Sequence, residues 1–131
     1  MRTIFIVLLL VVSVGESKSQ TDLENSLLQM YVSQHKAIEA GDLEGVKAHV
    51  TAESLKQIEE EEDQDFILEM IQYMTPPFES IEFGSCKVNG ETAELSATSN
   101  HEGENSTGVI QFVKEGDDWK IAKVQWHSTQ E

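Results

Sequence analysis

Tyr31 and His35 carry most of the chemistry this sequence could do. They stand four apart in a segment of helical period, so their side chains share one helix face. An imidazole beside a phenol suits proton transfer: the histidine titrates nearest neutrality and the hydroxyl donates. Tyr73, in a later helical segment, would add a second donor, and Trp126 with His127 ends the last strand-like run as an aromatic wall. The plainer assignment is structural. A tyrosine on an apolar helical face usually packs in the core with its hydroxyl at the rim, and His35, close to Lys36 and Glu39, reads as a surface histidine.

Other chemistries are poorly supplied. Glu61-Glu62-Asp63-Gln64-Asp65 clusters carboxylates but lacks the glycine and the spacing of a calcium loop. His35, His49, His101 and His127 show no ligand spacing, so no metal site is assigned. Glu82 and Glu94 alternate out of phase with the apolar face of their strands and are expected to meet water. No Ser-His-Asp order, glycine-rich phosphate loop or Cys-His pair occurs, and no cofactor is called for. Cys86 is the one cysteine; alone it makes no internal disulfide and reads as a small buried residue, with an intermolecular bridge the lesser alternative. Asn105-Ser106-Thr107 is a glycosylation acceptor, meaningful only in a eukaryote.

The elements that must position these residues follow from period. Leu23, Leu27, Met30, Tyr31, Gln34 and Ile38 recur at three- and four-residue steps, which predicts a helix capped by Thr21 or Asp22 and stopped at Gly41. Asp42 should cap a second, Thr51 should open a third, and Asp63 or Asp65 should favour the helix N-terminus that follows the acidic run, with Thr75-Pro76-Pro77 as the stop. Beyond the prolines the period becomes two. Ile81 and Phe83 alternate, Gly84 breaks the phase, and Cys86 and Val88 resume it shifted, the signature of a bulge or bend. Asn89-Gly90 predicts a hairpin turn, followed by a strand over 91–98 with Ala93, Leu95 and Ala97 on one face. A polar loop over 99–106, a strand through Val109–Val113, a turn over 114–118 and a last strand over 119–126 complete the chain. Helices first and an antiparallel meander after is an α+β layout.

The opening segment reads as an export signal. Met1-Arg2 is positive, Ile4 to Val12 is unbroken and apolar, and small polar residues follow. The apolar run is about half the roughly 20 residues of a membrane span. Cleavage is expected after Ser19, leaving 20–131 as a single secreted or periplasmic domain with no membrane association. The chain has 9 basic and 24 acidic residues; losing Arg2, Lys18 and Glu16 removes a net +1 and moves the charge from −15 to −16. So acidic a surface repels nucleic acid and anionic lipid.

Two segments carry a likeness. Ala37-Ile38-Glu39-Ala40-Gly41-Asp42-Leu43-Glu44-Gly45-Val46 and the closing hairpin Phe112-Val113-Lys114-Glu115-Gly116-Asp117-Asp118-Trp119-Lys120-Ile121 resemble the nuclear transport factor 2-like superfamily, and in particular its small exported members. The resemblance spans about Leu23 to Trp126. It implies a cone in which N-terminal helices pack in a curved antiparallel sheet. It places Tyr31, His35, Tyr73 and Trp126 around the cone's pocket, with His35 as base and Tyr31 and Tyr73 as donors if the domain is an isomerase, dehydratase or cyclase. It also implies a homodimer through the sheet, for which Val109, Gln111, Val113 and Trp119 are candidates. Fold does not deliver function. The expected role is an exported, non-catalytic domain that binds a small apolar or amphipathic ligand. The alternatives are an enzyme of that kind and an acidic interaction module regulating an exported partner.

Overall fold

Helices begin and end in this chain where the sequence supplies a capping or a breaking residue. The computed structural model describes residues 2–128, with side chains from Thr21 to Ser128; the expected export signal and its cleavage point lie outside the described side chains. Helix α1 (Arg2–Ala40) runs through Thr21 and Asp22 without a break, so neither is a cap. It ends at Gly41, whose φ of +74° suits glycine best. Asp42 caps α2 (Leu43–Lys47), accepting from the Gly45 amide at 3.1 Å. Thr51 caps α3 (Ala52–Glu59) at the Ser54 amide, and Asp63 caps α4 (Gln64–Met74) at the Phe66 amide. Thr75-Pro76-Pro77 then ends α4, and one 3-10 turn, Phe78–Ser80, leads into the sheet.

The sheet is open, antiparallel and four-stranded, in the order β1 (Ile81–Asn89), β2 (Thr92–His101), β3 (Glu104–Glu115), β4 (Asp118–Ser128). The chain is therefore α+β: helices followed by a meander. The phase slip at Gly84 is a bulge, with Gly84 and Ser85 opposite Ser96 alone. A second bulge, which the sequence did not announce, sets Ala122 as the extra residue of β4. All three hairpin loops have two residues. The first is Gly90-Glu91, one position later than Asn89-Gly90. The second corrects the expected polar loop over 99–106: β2 and β3 pair all the way to His101 and Glu104, and only Glu102 and Gly103 turn, at φ +55° and +81°. Two successive positive φ values are what a type I′ turn needs; polarity marked the strand ends as a loop because the side chains from Asn100 to Asn105 meet water, although Ser99 is buried.

The core is the seam between α1 and one face of the sheet. Leu27, Tyr31, Gln34, His35 and Ile38 are buried along α1, and Leu27 and Tyr31 pack with Ala93, Leu95, Ala97, Ile110, Phe112 and Ile121. Cys86 is half-buried against this cluster, and burial raises its thiol pKa. Trp119 packs there too, which separates it from Val109, Gln111 and Val113: those three alternate with the buried Ile110 and Phe112 and so stand on the opposite face. Glu82 and Glu94 are exposed, as alternation required. The free edge of β4 is partly covered where the α2–α3 connection pairs with it: the Thr51 amide donates to Ile121 O, and the Ile121 amide to His49 O, at 3.1 and 2.7 Å.

The outer helices are attached differently. Neither α3 nor α4 buries a side chain fully, though Leu55, Ile58, Ile67, Leu68 and Ile71 are half-buried. Polar ties hold them: Gln64 Nε2 donates to Ile58 O and Glu61 O, closing the α3–α4 turn, and Gln72 Nε2 donates to Ile38 O at 2.9 Å. The seam and the outer helices should respond unequally to truncation. Phe112→Ala is expected to cost about 3–5 kcal/mol, while Tyr73→Ala stays within about 0.5 kcal/mol of the parent, both read from urea unfolding midpoints.

Candidate functional site

Full burial of two polar rings on one helix face is the first thing to account for. Tyr31 and His35 each have no exposed surface, so His35 is not the surface residue its neighbours suggested. The tyrosine hydroxyl lies 3.0 Å from His35 Nδ1. Nε2 has no hydrogen-bond partner within 3.5 Å and faces the Glu39 carboxylate at 3.6 Å, with the Pro76 carbonyl nearby. Both groups facing Nε2 are acceptors, so the ring hydrogen belongs on Nε2 and Nδ1 accepts from the Tyr31 hydroxyl. Burial holds His35 below its ordinary pKa, against the opposing pull of Glu39 and the Pro76 carbonyl. Burial likewise pushes Tyr31 up to about 12; the Trp126 indole N–H, turned toward the hydroxyl but short of a full hydrogen bond, opposes the shift, and Glu39 adds to it. At neutral pH both rings are uncharged.

This pair ties elements together. Glu39 accepts from the Phe78 amide at 2.9 Å, and the Phe78 ring meets the His35 ring edge-on with centroids 5.4 Å apart. Phe83 of β1 meets Tyr31 in the same way at 5.9 Å. The His35 nitrogens are thus committed to α1 and to the segment that follows α4.

Beside the pair lies a cavity of about 440 Å³. Tyr31, Gln34 and Ile38 of α1 form its floor, Val46 and Val50 one end, Ile67, Met70, Ile71 and Met74 of α4 its roof, and Ile121, Val124 and Trp126 of β4 its far wall. His35 does not border it. Lys123 and His127 border it by position, but they are exposed and alternate along β4 with Val124 and Trp126, which places their side chains on the other face. Gln34 holds the floor to α2, donating from Nε2 to Val46 O at 3.2 Å. Gly45 lets α2 come this close, since a Cβ there would stand 2.8 Å from Ala37 Cβ.

Trp126 owes its position to Gly108. The two are register partners in β3 and β4, and a Cβ on Gly108 would lie 2.6 Å from the indole, so the ring lies flat over bare backbone. Trp126 also borders a second, polar groove of about 600 Å³, with Tyr73, Met74, Pro76, Pro77, Ser99 and Glu104 among its walls. The four expected pocket residues are therefore divided. Tyr31 and Trp126 line the apolar cavity, His35 sits behind it, and Tyr73 is 91% exposed and borders only the groove. Asn105 is exposed on β3, near its first hairpin turn. Among the described residues no group of histidine, cysteine and carboxylate side chains could hold a metal ion, and no helix is long and apolar enough to cross a membrane. No family profile, curated protein or solved structure matches this chain.

The sequence pointed to Tyr31 and Trp126 but not to the roof or to Gly108. A glycine between Thr107 and Val109 in a strand was the available sign of close approach. Gly108→Ala is expected to displace the indole at a cost of about 1–3 kcal/mol and to change the tryptophan near-ultraviolet dichroism in a Trp119→Phe background, where Trp126 is the sole indole. His35 gives a pH test. Its folded pKa lies below the unfolded value of about 6.5, so the unfolded chain binds the extra proton; stability is full above that value and falls as pH drops toward the folded pKa. Denaturation midpoints between pH 7 and 5 should show this slope, at most about 1.4 kcal/mol per pH unit for one proton, and His35→Gln should lack that component.

Proposed function

We propose that this protein is a non-catalytic binding domain whose cavity takes a small, uncharged, apolar or weakly amphipathic ligand. One observation carries the proposal: a half-open cleft of about 440 Å³ lined mainly by aliphatic, methionine and aromatic side chains, with Tyr31 and Gln34 on its floor. Sites for small ligands run from about 300 to 1,000 Å³ and are mostly apolar with few polar groups. Lys123, the ionised residue at its border, turns its side chain to the other face of β4 by strand alternation, so a charged ligand would lose its hydration without a counter-charge. Methionines suit such a roof because they repack around varied shapes.

The enzymatic alternative asks for a base with a free lone pair facing substrate. His35 Nδ1 is engaged by Tyr31, its Nε2 turns to Glu39, and the ring lies behind the cavity wall. That arrangement favours binding over turnover. We further propose membership of the nuclear transport factor 2-like cones, supported by the helices-first order, the Gly41 stop, the Asp42 cap and the closing hairpin at Gly116. Export is proposed on residues 1–19, and pairing of two copies on Val109, Gln111 and Val113 without Trp119.

N-phenyl-1-naphthylamine, a neutral apolar fluorophore, is the probe. In Trp119→Phe protein it should bind saturably, with energy transfer from Trp126, and Ile71→Asp should weaken it tenfold or more, the about 1.4 kcal/mol or more that a carboxylate placed against an apolar ligand costs. Absence of saturable binding, or binding indifferent to Ile71→Asp, would remove the cavity from consideration.

A further inference from the structure

Seven of the eleven residues of α4 are apolar, and none is fully buried. One side of the helix roofs the cavity. Phe66 and Tyr73 turn away from it, 53 and 91% exposed, and Met70 and Met74, which also border the cavity, stand between the two sides, 44 and 64% exposed. Large apolar groups aligned in this way on a water-facing helix mark a contact surface. The stripe does not stop at the end of α4: Tyr73 and Met74 continue into the polar groove, whose floor holds Pro76, Pro77 and Trp126 and whose far rim carries Glu102 and Glu104.

Charge chooses the occupant. Asp65 and Glu69 stand four residues apart on the exposed side of α4, and Glu69 stands four before Tyr73, so they run alongside the stripe. The exposed run Glu59 to Asp63 lies at its N-terminal end. No lysine or arginine occurs between Lys56 and Lys87. An apolar track edged by carboxylates at both ends repels a second copy of this acidic chain and an anionic bilayer, and attracts a cationic amphipathic segment.

We infer that the outer face of α4 and the adjoining groove form a docking site for a basic, amphipathic polypeptide segment of a partner protein. Its apolar side lies on Phe66, Met70 and Tyr73, and its cationic side chains meet Asp65, Glu69, Glu102 and Glu104. This site adjoins the proposed ligand cavity through Met70, which borders both, while Phe66 and Tyr73 lie outside that cavity.

The test is fluorescence anisotropy of the whole protein with a fluorescein-labelled helix of leucine and lysine whose leucines share one face. A peptide of the same composition with the leucines scrambled, and a leucine–glutamate counterpart, are the controls. The amphipathic cationic peptide should bind, and its affinity should fall at least tenfold from about 50 to 500 mM salt. Tyr73→Ser and Phe66→Ser, at exposed positions, should each weaken it about tenfold with unchanged far-ultraviolet dichroism, and Glu69→Gln with Glu104→Gln should flatten the salt dependence. Ile71→Asp, which disables the cavity, should not weaken it. Equal binding of the scrambled peptide, or no binding, overturns the inference. So does a loss with Ile71→Asp as large as with Phe66→Ser, which would put the peptide in the cavity. So does sedimentation showing self-association that Tyr73→Ser abolishes, which would make the occupant a second copy.

Discussion

Putting a phenol and an imidazole side by side in a core with no access to water obliges the surrounding elements to satisfy both. Each polar atom left without a partner would cost on the order of 1–3 kcal/mol. Tyr31 solves half of the problem by donating to His35, four residues on along the same helix. The remaining imidazole N–H faces the Glu39 carboxylate, one further turn along α1, at 3.6 Å, with the Pro76 carbonyl beyond α4 nearby, and makes a full hydrogen bond to neither. Glu39 in turn accepts from the Phe78 amide. The chain between α4 and the sheet is thereby held against α1, and the start of β1 is fixed over the tyrosine through Phe83. One local pair on a helix face sets the approach of helix to sheet.

The cavity follows from that approach together with two missing side chains. Gly45 lets α2 close on Ala37, and Gly108 lets the Trp126 ring lie flat on β3. With Tyr31 below and Trp126 at the side, α4 would have to sink inward to fill the remaining space. It is held at a distance by Gln72, which bonds the C-terminal carbonyl region of α1, and by Gln64 in the turn before it. Polar ties of this kind fix a helix without burying it. Close packing elsewhere in the core makes the unfilled volume beneath α4 a feature of the helix arrangement and not of general looseness.

Local signals made much of this legible in the sequence. Asp42, Thr51 and Asp63 cap helices because short side-chain oxygens reach backbone amides two or three residues on, whatever the tertiary fold. The alternation of Ala93, Leu95 and Ala97 fixed one sheet face, and the slip at Gly84 showed as a bulge. The losses are where the outcome depends on partners distant in the chain. His35 read as exposed because its sequence neighbours are charged, yet Phe78 and Pro76, forty residues away, cover it. Polar residues from Ser99 to Ser106 read as loop although strand pairing carried them nearly to the turn. Tyr73 shares helical period with cavity residues, but period cannot say which side of a half-buried helix faces inward. The Ala122 bulge arises where the segment around Val50 pairs with the edge of β4, a contact no local pattern encodes.

The unequal treatment of the two helical layers has a thermodynamic meaning. A folded chain of this size gains stability mainly by burying apolar surface, and here that gain is concentrated between α1 and the sheet. Helix α4 contains phenylalanine, tyrosine, two methionines, two isoleucines and a leucine, enough to have formed a second core layer, yet Ile67, Leu68 and Ile71 are only half-buried and Phe66, Met70, Tyr73 and Met74 are exposed. Exposed apolar surface of that extent adds nothing to the stability of the isolated chain and raises the hazard of association; the surrounding carboxylates offset the hazard by disfavouring contact between two copies through this helix. On the two proposals made above, a helix so composed would gain its burial from outside the chain, on its inner side from a molecule that fits the cavity and on its outer side from a surface of opposite charge.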